Sequence, residues 1–274
     1  MSAVSNSKTQ KELAFIQDLF IAPDWGERFA SLIDEHVKLP KKGRLLYAGA
    51  GTGGHALALQ QGASQELEFL CVDENEEYIE LARAKALSLK VSTEFRSGNL
   101  EQLDLKDDQF DLVIGDLSLL APERLPEIIL ELVRVTKPGG TVALMLATSS
   151  SFGEFFSIYW EALYNSDFAD GEVDIEGLLN ALPTVSAVEQ IGSREGLVNV
   201  NSWTQIEEFD YDSGEDFLNS PLISDFLMKD WLGSLATDKQ ERVTHEIANL
   251  INEERHNAEF PLTIKATLFT GKKG

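Results

Sequence analysis

Four glycines, at positions 49, 51, 53 and 54, lie in the stretch "LLYAGAGTGGHALAL", between a short apolar run and a series of helix-forming residues. A glycine backbone turns tightly and lets a ligand approach, and the N-terminus of the following helix offers free N–H groups to an anion. Gly49, Gly51 and Gly54 satisfy the dinucleotide pattern G-x-G-x-x-G, and Gly49, Gly51 and Gly53 satisfy the tighter G-x-G-x-G. The stretch predicts a cofactor-binding turn, although a tight strand–helix turn without a ligand also fits.

Two carboxylates end the apolar runs that follow the glycines. Asp73 ends "LEFLCVD", 24 residues after Gly49, and Asp116 ends "FDLVIGD". A carboxylate at the position of Asp73 can accept hydrogen bonds from both hydroxyls of a ribose, although it can also serve only as a helix cap. The pattern therefore favours a nucleoside-containing cofactor.

The four histidines show no metal-ligand spacing, so no metal is expected. His55 is a candidate general base because it directly follows the glycine turn, although its position favours a packed or solvated residue in the first turn of a helix. His256, just before the last predicted strand, offers the same two interpretations.

Short apolar strands alternate with helical patterns between residues 43 and 147. This rhythm predicts parallel crossovers and a sheet covered by helices on both faces. Two amphipathic helices precede it, the first with an apolar face of Leu13, Ile16, Leu19 and Phe20. The turn "KPGG" at 137–140 is predicted to precede the fifth strand.

The pattern changes after residue 150. An aromatic helix spans 152–164, and two predicted strands, "GLVNVNSWTQIEEF" and "FPLTIKATLFTG", flank a helical stretch. The aromatic helix follows the fifth strand, on the side where open α/β sheets bind ligands, so Tyr159, Tyr164 and Trp203 are predicted to face a substrate. Trp160 is predicted to be the core member of that helix.

We therefore predict three segments. Residues 1–42 form N-terminal helices that cover the cofactor site, and residues 43–150 form a Rossmann-like core. Residues 151–274 supply substrate-side helices, a lid insertion at about 210–257 and the closing strands of the same domain.

The charge balance narrows the range of partners. The chain carries 46 acidic and 23 basic residues, for a formal net charge of −23. Such a surface repels phosphate backbones and anionic lipid, so neither nucleic acid nor membrane is expected as a partner. The single cysteine, Cys71, lies in an apolar run, and no signal-peptide pattern or apolar run of roughly 20 residues is present, which favours a cytoplasmic location.

From Gly43 to Ala147 the sequence resembles the class I S-adenosylmethionine-dependent methyltransferases, in particular the type 11 small-molecule group. The resemblance rests on "AGAGTG", "VDENEEYIELA", "GNLEQLDL", "FDLVIGD" and "LVRVTKPGGTVAL". It implies a seven-stranded, mostly parallel sheet whose last strand lies antiparallel between its neighbours. It also implies S-adenosyl-L-methionine as cofactor and a small-molecule methyl acceptor.

The resemblance implies a cofactor role for each matching residue. The glycines at 49, 51 and 53 would surround the methionine portion, Asp73 would hold the ribose, and Asp116 would lie where cofactor and acceptor meet. The adenine would be bordered by Glu74, Tyr78, Asn99 and Leu100. Tyr47 stands where the family usually has an acidic residue that helps to orient the cofactor's ammonium group.

Three other functions remain open at this point. A nicotinamide-dependent oxidoreductase shares the fold class, but "KPGG" and the placement of "FDLVIGD" count against it. A non-catalytic S-adenosylmethionine-binding protein is the alternative that Tyr47 raises. A protein or nucleic acid methyltransferase is disfavoured, since "GDLSLLAP" follows the fourth strand and no basic track is visible.

Overall fold

The computed structural model describes residues 8–168, 173–255 and 259–274. Within these residues one seven-stranded sheet has the order β3-β2-β1-β4-β5-β7-β6. The strands are β1 (Gly43–Ala48), β2 (Leu67–Asp73), β3 (Glu94–Ser97), β4 (Phe110–Asp116), β5 (Thr136–Ala147), β6 (Leu197–Tyr211) and β7 (Phe260–Lys273).

The predicted topology of the sheet is confirmed. Strands β1 to β5 pair in parallel, and β7 is antiparallel to both β5 and β6. The strand order reverses between β1 and β4, so a crevice opens at the carboxyl ends of these two strands. That edge carries the glycine turn, Asp73 and Asp116.

Helices cover both faces of the sheet, as a buried parallel sheet requires. They are α1 (Gln10–Ile16), α2 (Glu27–His36), α3 (Gly54–Gly62), α4 (Glu76–Leu89), α5 (Leu125–Val135), α6 (Gly153–Asn165), α7 (Ile175–Leu179), α8 (Val185–Arg194), α9 (Gly214–Asn219), α10 (Met228–Leu232) and α11 (Thr237–Arg255). Along β1, Leu45 and Tyr47 enter one hydrophobic core, whereas Leu46 and Ala48 enter the other. This alternation explains why the strand is apolar throughout.

The segment between β6 and β7 is helical, as expected. It comprises α9, a π-helical segment (Leu222–Leu227), α10 and α11. Its predicted extent, about 210–257, and the other segment boundaries stay predictions. His256 lies outside the described residues.

The N-terminal helices differ from the prediction in one respect. A π-helical segment (Gln17–Gly26), with Pro23 inside it, joins α1 to α2. Leu19 and Phe20 are 63% and 55% exposed. The expected apolar face was therefore wrong at these two positions, because the wider π-helical turn rotates residues away from the α-helical phase. The segment is held over the glycine turn by Asp18, which accepts a 2.6 Å hydrogen bond from the Thr52 hydroxyl and pairs with Lys85.

The "KPGG" turn was also predicted incorrectly. Residues 137–140 belong to β5, where Phe110 pairs with Thr136 and Leu112 already pairs with Thr141. The extra residues form an irregularity inside the strand, and Gly139 there has a φ of +77°. Glycine tolerates that angle without strain, so the strand resumes instead of ending.

Candidate cofactor site

The glycine turn between β1 and α3 needs its glycines for steric reasons. Gly49, Gly51 and Gly53 have φ values of +69°, +53° and +79°. A Cβ on Gly49 would lie 2.2 Å from the Asp116 carbonyl oxygen, and one on Gly53 would lie 2.9 Å from the Phe95 ring. A Cβ on Gly51 would meet only the Gln17 side chain, at 3.6 Å. Gly51 therefore faces open space, which suits a close approach by a ligand.

Asp73 connects the end of β2 to this turn. Its Oδ2 accepts a hydrogen bond from the Gly51 N–H at 2.7 Å, and its Oδ1 accepts one from the Asn75 N–H at 3.0 Å. Burial raises the pKa of Asp73, whereas the two backbone donors oppose that shift. Each carboxylate oxygen can accept a further hydrogen bond, so Asp73 can receive two more donors from a ligand.

A cavity of about 200 Å³ opens beside Asp73; we call it the Asp73 cavity. Its lining includes seven predicted site residues, namely Gly49, Gly51, Asp73, Glu74, Tyr78, Leu100 and Asp116. Glu74 also pairs with Arg124 at 2.7 Å and accepts a hydrogen bond from the Leu100 N–H at 3.2 Å. Burial raises the pKa of Tyr78 to about 12, with the Asp73 carboxylate contributing. Asn99 is not brought to the cavity, because it is exposed and its side chain caps its own turn through the Glu101 N–H.

A second cavity of about 500 Å³, the Tyr47 cavity, lies on the other side of the glycine turn. The Tyr47 hydroxyl is 2.9 Å from His55 Nδ1, and His55 Nε2 is 3.2 Å from Asp34 Oδ1. Burial and the nearby Asp116 carboxylate raise the pKa of Tyr47 well above its ordinary value. Tyr47 is therefore a neutral phenol directed at His55, not a substitute negative charge.

The Tyr47 cavity has an acidic lining. Asp18, Glu27, Asp34 and Asp116 line it, and no lysine or arginine is among its described lining residues. Asp116 Oδ1 accepts hydrogen bonds from the Ser118 N–H and hydroxyl, at 3.1 and 2.6 Å. Burial raises the pKa of Asp116, so the ionised form gains from a cation placed beside it. This arrangement favours a positively charged ligand group.

Gln17 is a site residue that the sequence did not reveal. It lines both cavities, and its Oε1 is buried without a hydrogen-bond partner among the described residues. A buried acceptor without a partner is costly, so this oxygen is suited to a donor from a ligand. A glutamine in a helix belongs to no motif, and only the expectation that residues 1–42 cover the site pointed toward it.

A third cavity of about 110 Å³ lies at the carboxyl ends of β4 and β5; we call it the Trp231 cavity. Leu119, Ala147, Phe152 and Phe156 line one side, and Phe226 and Trp231 of the insertion line the other. Leu119 and Phe226 also line the Asp73 cavity, so the two cavities adjoin. A ligand in either cavity would therefore lie close to a ligand in the other.

The predicted substrate residues lie elsewhere. Tyr159 is fully buried and stacks on Phe155 at 5.6 Å, so it belongs to the core. Tyr164 is 64% exposed and stacks on Trp160, which is 56% exposed, so the expectation of a buried Trp160 was wrong. Trp203 stacks on His36 at 4.4 Å. It lies on β6, three strands from β4, so the structure does not bring it to these cavities.

The described residues offer neither a metal site nor a membrane-spanning helix. No group of three or more histidine, cysteine, aspartate or glutamate side chains in that part of the chain could hold a metal ion. Among the helices described there, none combines the length and the apolar character needed to cross a bilayer.

Comparison with known proteins adds independent support. A family described as a methyltransferase domain matches residues 45–140. The chain is 28% identical over 138 residues to the malonyl-[acyl-carrier protein] O-methyltransferase of Pectobacterium atrosepticum, a match that covers 50% of each chain. It is 29% identical over 146 residues to the demethylmenaquinone methyltransferase of Deinococcus radiodurans, covering 52% of this chain and 59% of that enzyme. The chain thus spans about half the length of the curated relatives it matches.

The fold is shared with solved structures. The YcgJ protein of Bacillus subtilis superposes with a TM-score of 0.59 at 18% identity, over 90% of this chain and 98% of that one. Residues 45–140 therefore resemble a methyltransferase domain, and the chain has the Rossmann-like fold found in S-adenosylmethionine-dependent methyltransferases.

Proposed function

We propose that this protein transfers a methyl group from S-adenosyl-L-methionine to a small-molecule acceptor. The observation that carries the proposal is the hydrogen bond between Asp73 and the Gly51 N–H at the wall of the Asp73 cavity. It joins a carboxylate suited to a ribose to a turn in which a Cβ on Gly49 or Gly53 would clash. In this assignment Asp73 receives the ribose hydroxyls, and Glu74, Tyr78 and Leu100 border the adenine.

The cofactor's ammonium group requires a different partner from the one usual in the family. Tyr47 is bonded to His55 and carries no negative charge. Asp116 and Gln17 line both the Asp73 and Tyr47 cavities, and both have acceptor capacity left. We therefore assign the ammonium group to Asp116 and the Gln17 carbonyl oxygen, so that the neighbouring strand supplies the missing carboxylate.

The chemistry asks little of the protein beyond alignment. The bound cofactor supplies a methyl group already activated by the positive charge on sulfur. Holding the reacting atoms in line can contribute about 7–11 kcal/mol to the lowering of the barrier. His55 lines the Tyr47 cavity and is absent from the described lining of the Trp231 cavity. Its position therefore favours a role at the cofactor's amino acid end over one as general base.

The adjoining Trp231 cavity is the proposed acceptor site. It is enclosed mainly by apolar side chains and by the helical insertion, which suits a small apolar group. Residues 166–225 carry 14 acidic residues and one basic residue, so a phosphate backbone crossing this region would be repelled. The names of the curated relatives give different acceptors. The acceptor of this protein is therefore inferred from the lining of its own cavity.

Calorimetric titration of the full chain with S-adenosylmethionine, S-adenosylhomocysteine and NAD tests the cofactor. We expect saturable binding of the first two and none of NAD. Transfer of labelled methyl groups to pools of small molecules and to tRNA tests the acceptor, and we expect label only in small molecules. Binding of both S-adenosyl compounds with no transfer to any pool would favour a non-catalytic binding protein, whereas preferred binding of NAD would favour an oxidoreductase.

A further inference from the structure

The Trp231 cavity is rich in aromatic rings. Phe152, Phe156, Phe226 and Trp231 all line it. The Trp231 ring meets Phe152 at 5.1 Å and Phe156 at 5.7 Å, each at an interplanar angle of 66°. Aromatic faces carry partial negative charge and attract cations, and clusters of such rings recognise ammonium groups in other proteins.

One acid accompanies these rings. Asp230 is the single charged residue among the described residues that line the cavity. It is exposed, and partial desolvation and Glu123 raise its pKa against the opposing effect of the neighbouring Lys229. No lysine or arginine is among the described residues of this lining, so a carboxylate or phosphate on a ligand would find no counter-ion among them.

We propose that the acceptor carries a positively charged ammonium group, and that this group binds in the Trp231 cavity against Phe226 and Trp231 with Asp230 as its counter-ion. The inference rests on the proposed function when it calls the bound molecule the methyl acceptor. The binding of a cation to this cavity does not depend on methyl transfer. It concerns recognition, and the atom that receives the methyl group is a separate question.

The surroundings favour the same charge. The segment from 166 to 225 leads into the insertion and carries 14 acidic residues against one basic residue. Together with the formal net charge of −23 of the whole chain, this composition attracts a cation to the protein and repels an anion. A purely apolar acceptor would gain from the rings, but it would gain nothing from Asp230.

The test uses two molecules of the same shape and different charge. Choline and 3,3-dimethylbutan-1-ol differ by the exchange of a quaternary nitrogen for carbon, so their comparison isolates the charge. Calorimetric titration of the full chain, with and without saturating S-adenosylhomocysteine, gives both affinities. We expect choline to bind roughly tenfold more tightly than the alcohol, which is the range of a partly desolvated cation–π contact.

Two variants assign the effect to the cavity. Asp230→Asn removes the charge and Phe226→Leu removes a ring while leaving an apolar side chain; each should lower the affinity for choline several-fold and leave that for the alcohol nearly unchanged. Asp238→Asn is the matched control, since Asp238 is an exposed acid at the start of α11 outside the cavity lining. Equal affinity for the two probes, binding of neither, or equal effects of Asp230→Asn and Asp238→Asn would overturn the proposal. Failure to bind S-adenosylhomocysteine would instead count against the proposed function.

Discussion

The Asp73 cavity and the Trp231 cavity adjoin, yet they are built in different ways. The Asp73 cavity is lined by three carboxylates that lie at the carboxyl ends of parallel strands: Asp73 ends β2, Glu74 follows it, and Asp116 ends β4. The second is assembled from stretches near residues 120, 150, 180 and 230, brought together by helix packing. The comparison teaches that strand topology fixes the cofactor half, whereas side-chain packing fixes the half that we propose binds the acceptor, called the acceptor half below.

The largest expected effect tests the packing of the acceptor half. Tyr159→Ala should lower the free energy of unfolding by roughly 3–5 kcal/mol, since this ring of α6 is fully buried in the hydrophobic core. Trp160→Ala, one residue further on and 56% exposed, should change it by only about 0.5 kcal/mol. Chemical denaturation measures both, and equal losses would remove the distinction between the two faces of α6.

Gly49→Ala tests the backbone of the cofactor half. The new methyl group would lie 2.2 Å from the Asp116 carbonyl oxygen at a φ of +69°, so we expect a loss of roughly 2–3 kcal/mol in stability together with weaker cofactor binding. Gly54→Ala is the matched control. Gly54 begins α3, and no atom beyond its chain neighbours and the local helix backbone lies within 4 Å of the Cβ that alanine would add there. Thermal melts combined with titration of S-adenosylhomocysteine measure both effects, and the idea fails if Gly49→Ala behaves like the control.

Asp73→Ala tests a single side chain in the same half. We expect the affinity for S-adenosylmethionine to weaken by about 1.5–3 kcal/mol, the range for hydrogen bonds to a charged group. Part of the loss should come from the turn itself, because Asp73 also accepts a hydrogen bond from the Gly51 N–H. Calorimetry measures the affinity, and an unchanged value in a folded variant would exclude Asp73 from the site.

The pH dependence distinguishes the role of Asp116. Its pKa is raised by burial, so the protonated form favours the folded free protein, and stability should fall as pH rises through that pKa. Affinity for a cationic ligand should change the other way, by up to about tenfold per pH unit, because the ligand prefers the carboxylate. Titrations that start at the ordinary pH range of a carboxylate and go upward measure this. Burial also raises the pKa of Asp73, so Asp116→Asn should flatten only part of the profile. If Asp116→Asn leaves the pH dependence of the affinity unchanged, a residue other than Asp116 binds the cofactor's ammonium group.

The same comparison explains which features the sequence could predict. The parallel sheet and the positions of Asp73 and Asp116 followed from apolar strands ending in chemically distinctive residues, whereas the antiparallel last strand between its neighbours followed only from the family resemblance. Gln17 could not be found, because the π-helical segment that aims it at the cavities has no sequence motif. The helix predicted at 152–164 is present, but its buried and exposed faces were predicted wrongly. Six aromatic side chains in this stretch leave the rotation of the helix undetermined by hydrophobicity alone.

The smallest expected effect refines the view of Tyr159. Its hydroxyl is buried without a hydrogen-bond partner among the described residues, and burial raises its pKa. A hydroxyl that loses its hydrogen bonds to water on burial and gains no partner costs free energy, so Tyr159→Phe should raise stability by roughly 1 kcal/mol and leave the affinity for S-adenosylhomocysteine unchanged. Chemical denaturation of Tyr159→Phe beside Tyr164→Phe, whose hydroxyl is on an exposed ring, measures the difference. If Tyr159→Phe instead loses stability or alters ligand binding, the hydroxyl has a partner in the acceptor half. Tyr159 would then be a substrate-site residue, as the sequence predicted.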